Sequence, residues 1–379
     1  MRVAVVTESF LPQINGVTNS VLRVLETLRE ANHEALVIAP DGEGIPKEYA
    51  GHRVKTIPTI PIQSVVPVGM PMGIPTRRLE HLIDGFSPDI FHLASPLALG
   101  LYSAKIAKKF EIPTLSVYQT DIAGFARHYG FDMAHTSLRK MVGKIHSQTD
   151  RTLAPSSSAC IELTAQGVKE VYLWQRGVNI ELFNPSKKSE VMRKLWDPSG
   201  KKLIIGFVGR LANEKRIKDL RYLDRDSKIQ LIITGDGPAQ SKLRKELPNA
   251  IFMGHKSGED LAEIYASLDL FIHPGPNETF CQAVQEALSS GVPCIVPTTG
   301  GPADLVRHGV TGYVINTHRP DELESAVLHF QLRNDKAEMA VNARESVQRR
   351  TWPIINSQLL GHYNELISKK KKFLDGSAA

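Results

Sequence analysis

The 379-residue chain carries 46 Lys and Arg against 40 Asp and Glu, for a net charge of +6, and 42% of it is hydrophobic. That length exceeds what one hydrophobic core usually supports, so two domains are expected. No run approaches the roughly 18 consecutive apolar residues of a membrane span, and the three cysteines, Cys160, Cys281 and Cys294, show neither metal-ligand spacing nor the even count of a disulfide framework.

The start MRVAVVTESF has no basic region or cleavage site, so a cytoplasmic protein is expected. The mild positive charge lacks basic runs interleaved with aromatics. It fits phosphate-bearing small ligands or an anionic lipid surface better than nucleic acid.

In chain order, the apolar run Val3 to Val6 reads as a buried strand, and Val17, Val21, Val24, Leu25 and Leu28 repeat at helical spacing over Val17 to Ala31. Between them, Leu11-Pro12-Gln13-Ile14-Asn15-Gly16 is loop chemistry. Gly16 would let backbone approach a phosphate at the helix start, although a turn glycine without a ligand explains it equally well. Strands follow at Ala35 to Ala39, Ile90 to Leu93, Thr114 to Val117 and Thr152-Leu153, which is the alternation of a parallel, doubly wound sheet.

From Lys55 to Arg77 the intervening chain has no charge, five prolines and the apolar residues Ile60, Ile62, Val65, Val66, Val68, Met70, Met72 and Ile74. Such a segment is a poor core element and suits a binding or membrane surface. Arg77, Arg78, Lys105, Lys108, Lys109, Arg139, Lys140 and Lys144 would add attraction to anionic lipid, at about 1 kcal/mol for each well-placed cation. A loop folded over its own domain, with solvated lysines, is the alternative.

The pattern restarts after the polar stretches Asn184 to Lys188 and Asp197 to Gly200. Strands are expected at Leu203 to Val208, Ile229 to Ile233, Ile251 to Met253, Leu270 to His273 and Cys294 to Val296, again separated by helices. The domains read as 1–185, 186–355 and a final helix, 356–379 with a basic tail, that is expected to cross back to the first domain. Over a helical segment from about Pro353 to Leu374, Ile354, Leu359, Leu360, Tyr363 and Leu366 form the apolar side.

Two constellations carry chemistry. The strand Leu203 to Val208 ends in Gly209-Arg210-Leu211-Ala212-Asn213-Glu214-Lys215, and strand ends in parallel sheets are where ligands sit. An arginine fork and a lysine point charge suit a diphosphate leaving group whose negative charge grows as a glycosidic bond breaks. A surface ion pair between Arg210 and Glu214 is the alternative. After the Leu270 strand comes Pro274-Gly275-Pro276-Asn277-Glu278-Thr279-Phe280-Cys281, with a helix expected from Thr279. The amides of Thr279, Phe280 and Cys281 would then face an anion. Glu278 and Glu286, two helical turns apart, can accept hydrogen bonds from a polyol. The fingerprints GxGxxG and GxxxxGK[ST] are absent, so neither a dinucleotide enzyme nor a P-loop ATPase is indicated.

Together, Gly209-Arg210-Leu211 with Lys215, the Gly235-Asp236-Gly237-Pro238 turn, Glu278 and Glu286 seven residues apart, Gly300-Gly301-Pro302, and Gly177-Val178-Asn179 with Phe183 and Pro185 resemble the retaining GT-B glycosyltransferases of family four. The likeness is strongest to actinobacterial GDP-mannose-dependent α-mannosyltransferases that act on phosphatidylinositol or glycolipid acceptors. The resemblance implies an α/β fold of two Rossmann-like domains facing across a cleft. It implies GDP-mannose as donor, a lipid-linked acceptor at the inner face of the cell membrane, and transfer with retention, without cofactor or metal.

On that likeness Arg210, Lys215 and Glu278 are the catalytic candidates. Gly16, His255, Lys256, Thr279, Phe280, Cys281 and Glu286 join them in donor binding, with Glu278 on the sugar and Glu286 on the ribose. Many relatives carry histidine in the Tyr-x-Thr motif after the Thr114 strand, where this chain has Tyr118-Gln119-Thr120. Gln119 cannot become a cation, which leaves Gln119 and Asp121 as acceptor-side candidates; helix capping is the other role open to Asp121. A UDP-sugar enzyme with a soluble acceptor and a non-catalytic nucleotide-sugar-binding protein are the alternative functions.

Overall fold

The computed structural model describes residues 1–60, 72–73, 77–94, 96–119 and 132–374. The chain divides into two compact units, Met1–Gln175 with Pro353–Ala379, and Arg176–Trp352. Most of the apolar Lys55 to Arg77 loop, together with Thr120 and Asp121, lies outside the described residues.

The first unit contains strands β1 (Arg2–Val6), β2 (Glu34–Pro40), β3 (Glu48–Tyr49), β4 (His52–Ile57), β5 (Thr59–Ile60), β6 (Met72–Gly73), β7 (Ile90–Leu93), β8 (Thr114–Val117), β9 (Arg151–Ala154) and β10 (Val171–Leu173). Its helices are α1 (Gly16–Glu30), α2 (Arg77–Phe86), α3 (Ala98–Lys109), α4 (Asp132–His146) and α5 (Ser157–Ala165). The main sheet has the order β10-β9-β8-β7-β1-β2-β4-β3, parallel except for the β3–β4 pair. Central strands such as β1 and β7 are buried on both faces, which is why they read as unbroken apolar runs rather than alternating ones. The short β3 and β4 segments and the β5–β6 ribbon carry no such run and were not anticipated.

The second unit contains β11 (Leu203–Val208), β12 (Ile229–Thr234), β13 (Ile251–Gly254), β14 (Leu270–Ile272), β15 (Cys294–Pro297) and β16 (Gly312–Ile315). The helices are α6 (Glu190–Trp196), α7 (Arg221–Asp224), α8 (Gln240–Glu246), α9 (Gly258–Ala266), α10 (Gln282–Ser289), α11 (Pro320–Leu332) and α12 (Lys336–Glu345), and the last helix of the chain is α13 (Trp352–Leu374). All five strand pairs are parallel, in the order β13-β12-β11-β14-β15-β16. From β11 the chain steps one way to β12 and later returns on the other side at β14. The switch point of this doubly wound sheet therefore lies between β11 and β14.

The unit boundary falls ahead of the Asn184 loop, and residues 176–185 belong to the second unit rather than the first. The cause is packing: Val178 bridges Thr351, Phe183 stacks edge-on against Tyr265 with centroids 5.6 Å apart, and the Gln282 side-chain amide donates to the Gly177 carbonyl at 3.0 Å. The chain returns to the first unit through α13, whose Ile355, Leu359, Tyr363 and Leu366 join the core built on β1 and α1. Ile355 fills the place expected for Ile354, which is 43% exposed. The Trp174 indole donates to the Ile355 carbonyl at 3.0 Å, and buried Arg151 pairs with Glu365 at 2.7 Å. Among the described residues no helix is long and apolar enough to cross a membrane.

Candidate functional site

Every donor-side candidate of the second unit sits in a segment that leaves, or begins just beyond, the C-terminal end of a strand: Arg210 and Lys215 after β11, His255 and Lys256 after β13, Glu278 to Glu286 after β14. The two segments flanking the switch point meet. Lys215 donates from its ammonium to Glu278 Oε1, with both side chains about four-fifths buried. The close approach depends on Gly275, because a Cβ there would lie 3.0 Å from both the Lys215 Cα and the Glu214 carbonyl oxygen. On the far side, a Cβ on Gly301 would lie 2.5 Å from the Phe280 amide nitrogen. The Gly301 amide donates instead to the Glu278 carbonyl at 2.8 Å. The Gly235-Asp236-Gly237 turn braces the arginine segment, the Leu211 amide donating to the Asp236 carbonyl at 2.7 Å. The glycine motifs thus hold the loops in register around the charged pair.

A third charged group completes the cluster. His273 follows β14, is 2% exposed, stacks on Phe207 with ring centroids 5.9 Å apart, and brings Nε2 to 3.4 Å from Glu278 Oε1. Among the described residues neither ring nitrogen makes a well-formed hydrogen bond, so this is an ion-pair contact. Burial pulls the His273 pKa down, but the Cys281 sulfur and the Glu278 carboxylate outweigh it and push it up to about 9. Burial alone would raise Glu278; the Lys215 ammonium and the His273 ring hold it down at about 2 instead. The result is one carboxylate held between two cations, with the Lys215 ammonium available to a phosphate. In the sequence His273 reads only as the end of a strand. A lone histidine ending an apolar run is indistinguishable by pattern from a core residue.

The remaining candidates fall out unevenly. Arg210 is half exposed and, as the ion-pair alternative foresaw, its guanidinium pairs with Glu214, itself only 7% exposed. Glu286 on α10 accepts a hydrogen bond from the buried Tyr265 hydroxyl at 3.1 Å, and burial raises its pKa to about 7. Lys256 pairs with Asp260 at 3.4 Å, and His255 is exposed. The helix expected from Thr279 begins only at Gln282. Cys281 is its N-cap with φ +84°, a left-handed conformation that interrupts the helical path. Thr279, Phe280 and Cys281 therefore precede the helix, and the leading helical amides are those of Gln282, Ala283 and Val284. The side chains of Phe280 and Cys281 also pack into the core of the unit, 5% and 7% exposed, so their approach to a donor is through backbone.

In the first unit Gly16 opens α1, and a Cβ there would meet nothing within 4 Å among the described residues. Asn15 caps this helix, accepting from the amides of Val17 and Thr18 at 3.0 Å each, so the two amides next to Gly16 are already satisfied. Gln119 donates to the Ala94 carbonyl at the end of β7. Asp121 lies outside the described residues.

Among the described residues, His273, Glu278 and Cys281 are the group that could hold a metal, with one ligand atom each and all three within 4.8 Å of one another. The Lys215 ammonium already occupies the Glu278 oxygen there, so a metal would have to displace it.

Comparison with known proteins agrees with this architecture. Residues 14–182 match the family described as Glycosyltransferase Family 4, and residues 188–347 match Glycosyl transferases group 1. A GDP-mannose-dependent alpha-mannosyltransferase of Corynebacterium glutamicum is 45% identical over 98% of this chain and 91% of its own length. A protein of the same description from Mycobacterium tuberculosis is 45% identical over 98% of both chains. Among solved structures, Anabaena Alr3699/HepE in complex with UDP superposes with a TM-score of 0.78 at 18% identity, over 97% of this chain and 100% of the other. These matches define a glycosyltransferase of the GT-B fold, and the chain belongs to glycosyltransferase family four.

Proposed function

We propose that the protein is a hexosyltransferase that moves mannose from GDP-mannose to a lipid-linked acceptor with retention of the α configuration. The observation that carries this reading is the Lys215–Glu278–His273 cluster at the switch point of the second sheet, in a chain 45% identical to GDP-mannose-dependent alpha-mannosyltransferases over nearly its whole length. Lys215 and Arg210 bind the diphosphate, and Arg210 exchanges Glu214 for phosphate oxygens when the donor arrives. As the glycosidic bond breaks, negative charge grows on the β-phosphate, and the preorganised ammonium stabilises it more than it stabilises the ground state. Glu278, ionised at any physiological pH, accepts hydrogen bonds from the mannose hydroxyls. Glu286 accepts them from the ribose, while the segment at His255 and Lys256 lies beside the guanine.

Transfer in this account needs no metal. The departing phosphate takes the acceptor's proton, so the side chains position and stabilise rather than shuttle protons. Gln119, already hydrogen-bonded to backbone, serves as a fixed amide on the acceptor side, with Asp121 beside it in sequence. For the lipid acceptor, supporting features are the basic side chains of the first unit. Lys105 and Lys108 on α3 and Lys369 and Lys370 on α13 surround a pocket of about 860 Å³ with Phe373, 70% exposed, on its lining. Such a surface favours docking on anionic lipid.

A donor screen by release of nucleoside diphosphate tests the reading. GDP-mannose should give the highest kcat/KM; a higher value for any UDP-sugar would refute the donor assignment.

A further inference from the structure

The second unit carries another candidate site, at the opposite edge of its sheet. A cavity of about 610 Å³ opens beside the N-terminal ends of β11, β14 and β15, lined by Leu203, Asp269 and Pro293 at those strand starts. Six residues of β11 separate this edge from the Arg210 segment, or roughly 20 Å of strand. The volume is that of a small-molecule pocket rather than of a single ion.

Its lining is strongly cationic. Lys188, Lys201, Lys202, Lys228 and Lys336 all contribute, against one acid, Asp269. Asp269 is already neutralised, contacting Arg193 at 2.9 Å and accepting from the Ile204 amide at 2.8 Å. Lys188 has a partner in Glu190 at 3.0 Å, Lys202 donates to the Gln230 side chain at 3.2 Å, and Lys336 lies over the Phe330 ring. Among the described residues, no ion pair or side-chain hydrogen bond occupies the ammonium groups of Lys201 and Lys228.

Two independent features point the same way. Helix α12 begins at this cavity with Lys336 and Ala337 on the lining, and it has no side-chain cap. Its natural cap, Asp335, is turned to Arg333 instead, at 2.7 Å. The first helical hydrogen bond runs from the Met339 amide to the Asp335 carbonyl, so the preceding amides are open to an anion, although Glu338 in the first turn already meets part of the helix dipole. Ser290 also lines the cavity and is 2% exposed, yet among the described residues its hydroxyl has no hydrogen-bond partner. A buried hydroxyl left without a partner costs free energy, and a ligand oxygen would satisfy it once the side chain turns to the cavity.

We infer that this cavity is a second anion site, built for a free small molecule bearing more than one phosphate and distinct from the donor site. Five lysines carry more positive charge than one phosphate neutralises, and from four separate segments they can grip a polyphosphate or a bis-phosphorylated metabolite. The concave shape favours a soluble ligand over a bilayer surface.

The test is calorimetric titration of inorganic tripolyphosphate into the full chain saturated with GDP, so that the donor site is filled. One tripolyphosphate should bind per chain. A Lys201→Glu, Lys228→Glu double variant should weaken it by about tenfold or more, the scale of losing one charge-assisted hydrogen bond. Ser290→Ala should weaken it severalfold, and Arg210→Ala should leave it unchanged. Thermal melting without ligand checks that the variants remain folded. The inference is overturned if the GDP-saturated protein binds no tripolyphosphate, if the double variant binds it with unchanged affinity, or if only anionic vesicles bind in a Lys201- and Lys228-dependent way. GDP titrated alone reports on the donor site, so the two assignments can fail separately.

Discussion

Replacing Lys215 with methionine keeps the length and apolar stem of the side chain and removes only the ammonium. In the free protein that ammonium is the first charged partner of Glu278, and both side chains are about four-fifths buried. Holding Glu278 at about 2 rather than its ordinary 4.5 represents about 3 kcal/mol of net favourable interaction, shared between Lys215 and His273. With His273 still in place, Lys215→Met is expected to cost about 1–2 kcal/mol of stability at pH 7. This contribution belongs to the ionised carboxylate. It is present above the unfolded pKa of 4.5 and fades as pH falls toward 2, so the deficit should shrink in acid. Catalysis should suffer more: losing the charge that meets the departing phosphate should lower kcat/KM by about a hundredfold or more, or about 2.7 kcal/mol. Urea melts at pH 7 and pH 4, alongside nucleoside diphosphate release with GDP-mannose, separate the two effects. A folded Lys215→Met variant with wild-type kcat/KM would refute the reasoning, because no other role given to Lys215 spares the rate.

Three further substitutions test the surrounding shell. Because burial raises Glu286 to about 7, and because the ionised carboxylate is the better acceptor for ribose hydroxyls, GDP-mannose should bind about tenfold tighter at pH 8 than at pH 6. Glu286→Gln should flatten that dependence in titration calorimetry; a wild type with flat affinity would remove Glu286 from the donor site. His273, with its pKa raised from 6.5 to about 9, contributes stability that is complete below pH 6.5 and lost as pH rises through 9. Wild-type stability should decline by up to about 3 kcal/mol across that window, and His273→Gln should abolish the decline; equal slopes in urea melts would show that the ring is neutral. Gly301→Ala should destabilise the second unit by about 2 kcal/mol or more, since its methyl meets backbone that cannot rotate away. Unchanged thermal melting would contradict the packing described for that loop.

The sheets were legible because a parallel strand buried on both faces leaves an unbroken apolar run, as in Val3 to Val6 and Leu203 to Val208. The short β3 and β4 segments left no such trace. The place of Lys215 and Glu278 was legible from charge at strand ends, but their direct pairing was not, because no spacing rule links residues on strands that are neighbours in space and distant in sequence. His273 was missed for a different reason: it ends an apolar run as a core residue would, and its role comes from Glu278 and Cys281 across the turn that follows. The start of α10 was placed three residues early because the proposed helix ran through Cys281, and a non-glycine residue at φ +84° is not readable from residue type. At α13 the apolar period was recognised but its phase was one residue off at Ile354, within the usual uncertainty at a helix end.

Mannosyl transfer from GDP-mannose to lipid is tested by following the fate of the sugar. Incubating the full chain with radiolabelled GDP-mannose and anionic vesicles carrying membrane lipid should move label into the organic phase as an α-mannoside, with no comparable transfer from UDP-glucose. Label confined to soluble acceptors, a β-linked product, or preferential use of UDP-glucose would contradict the account.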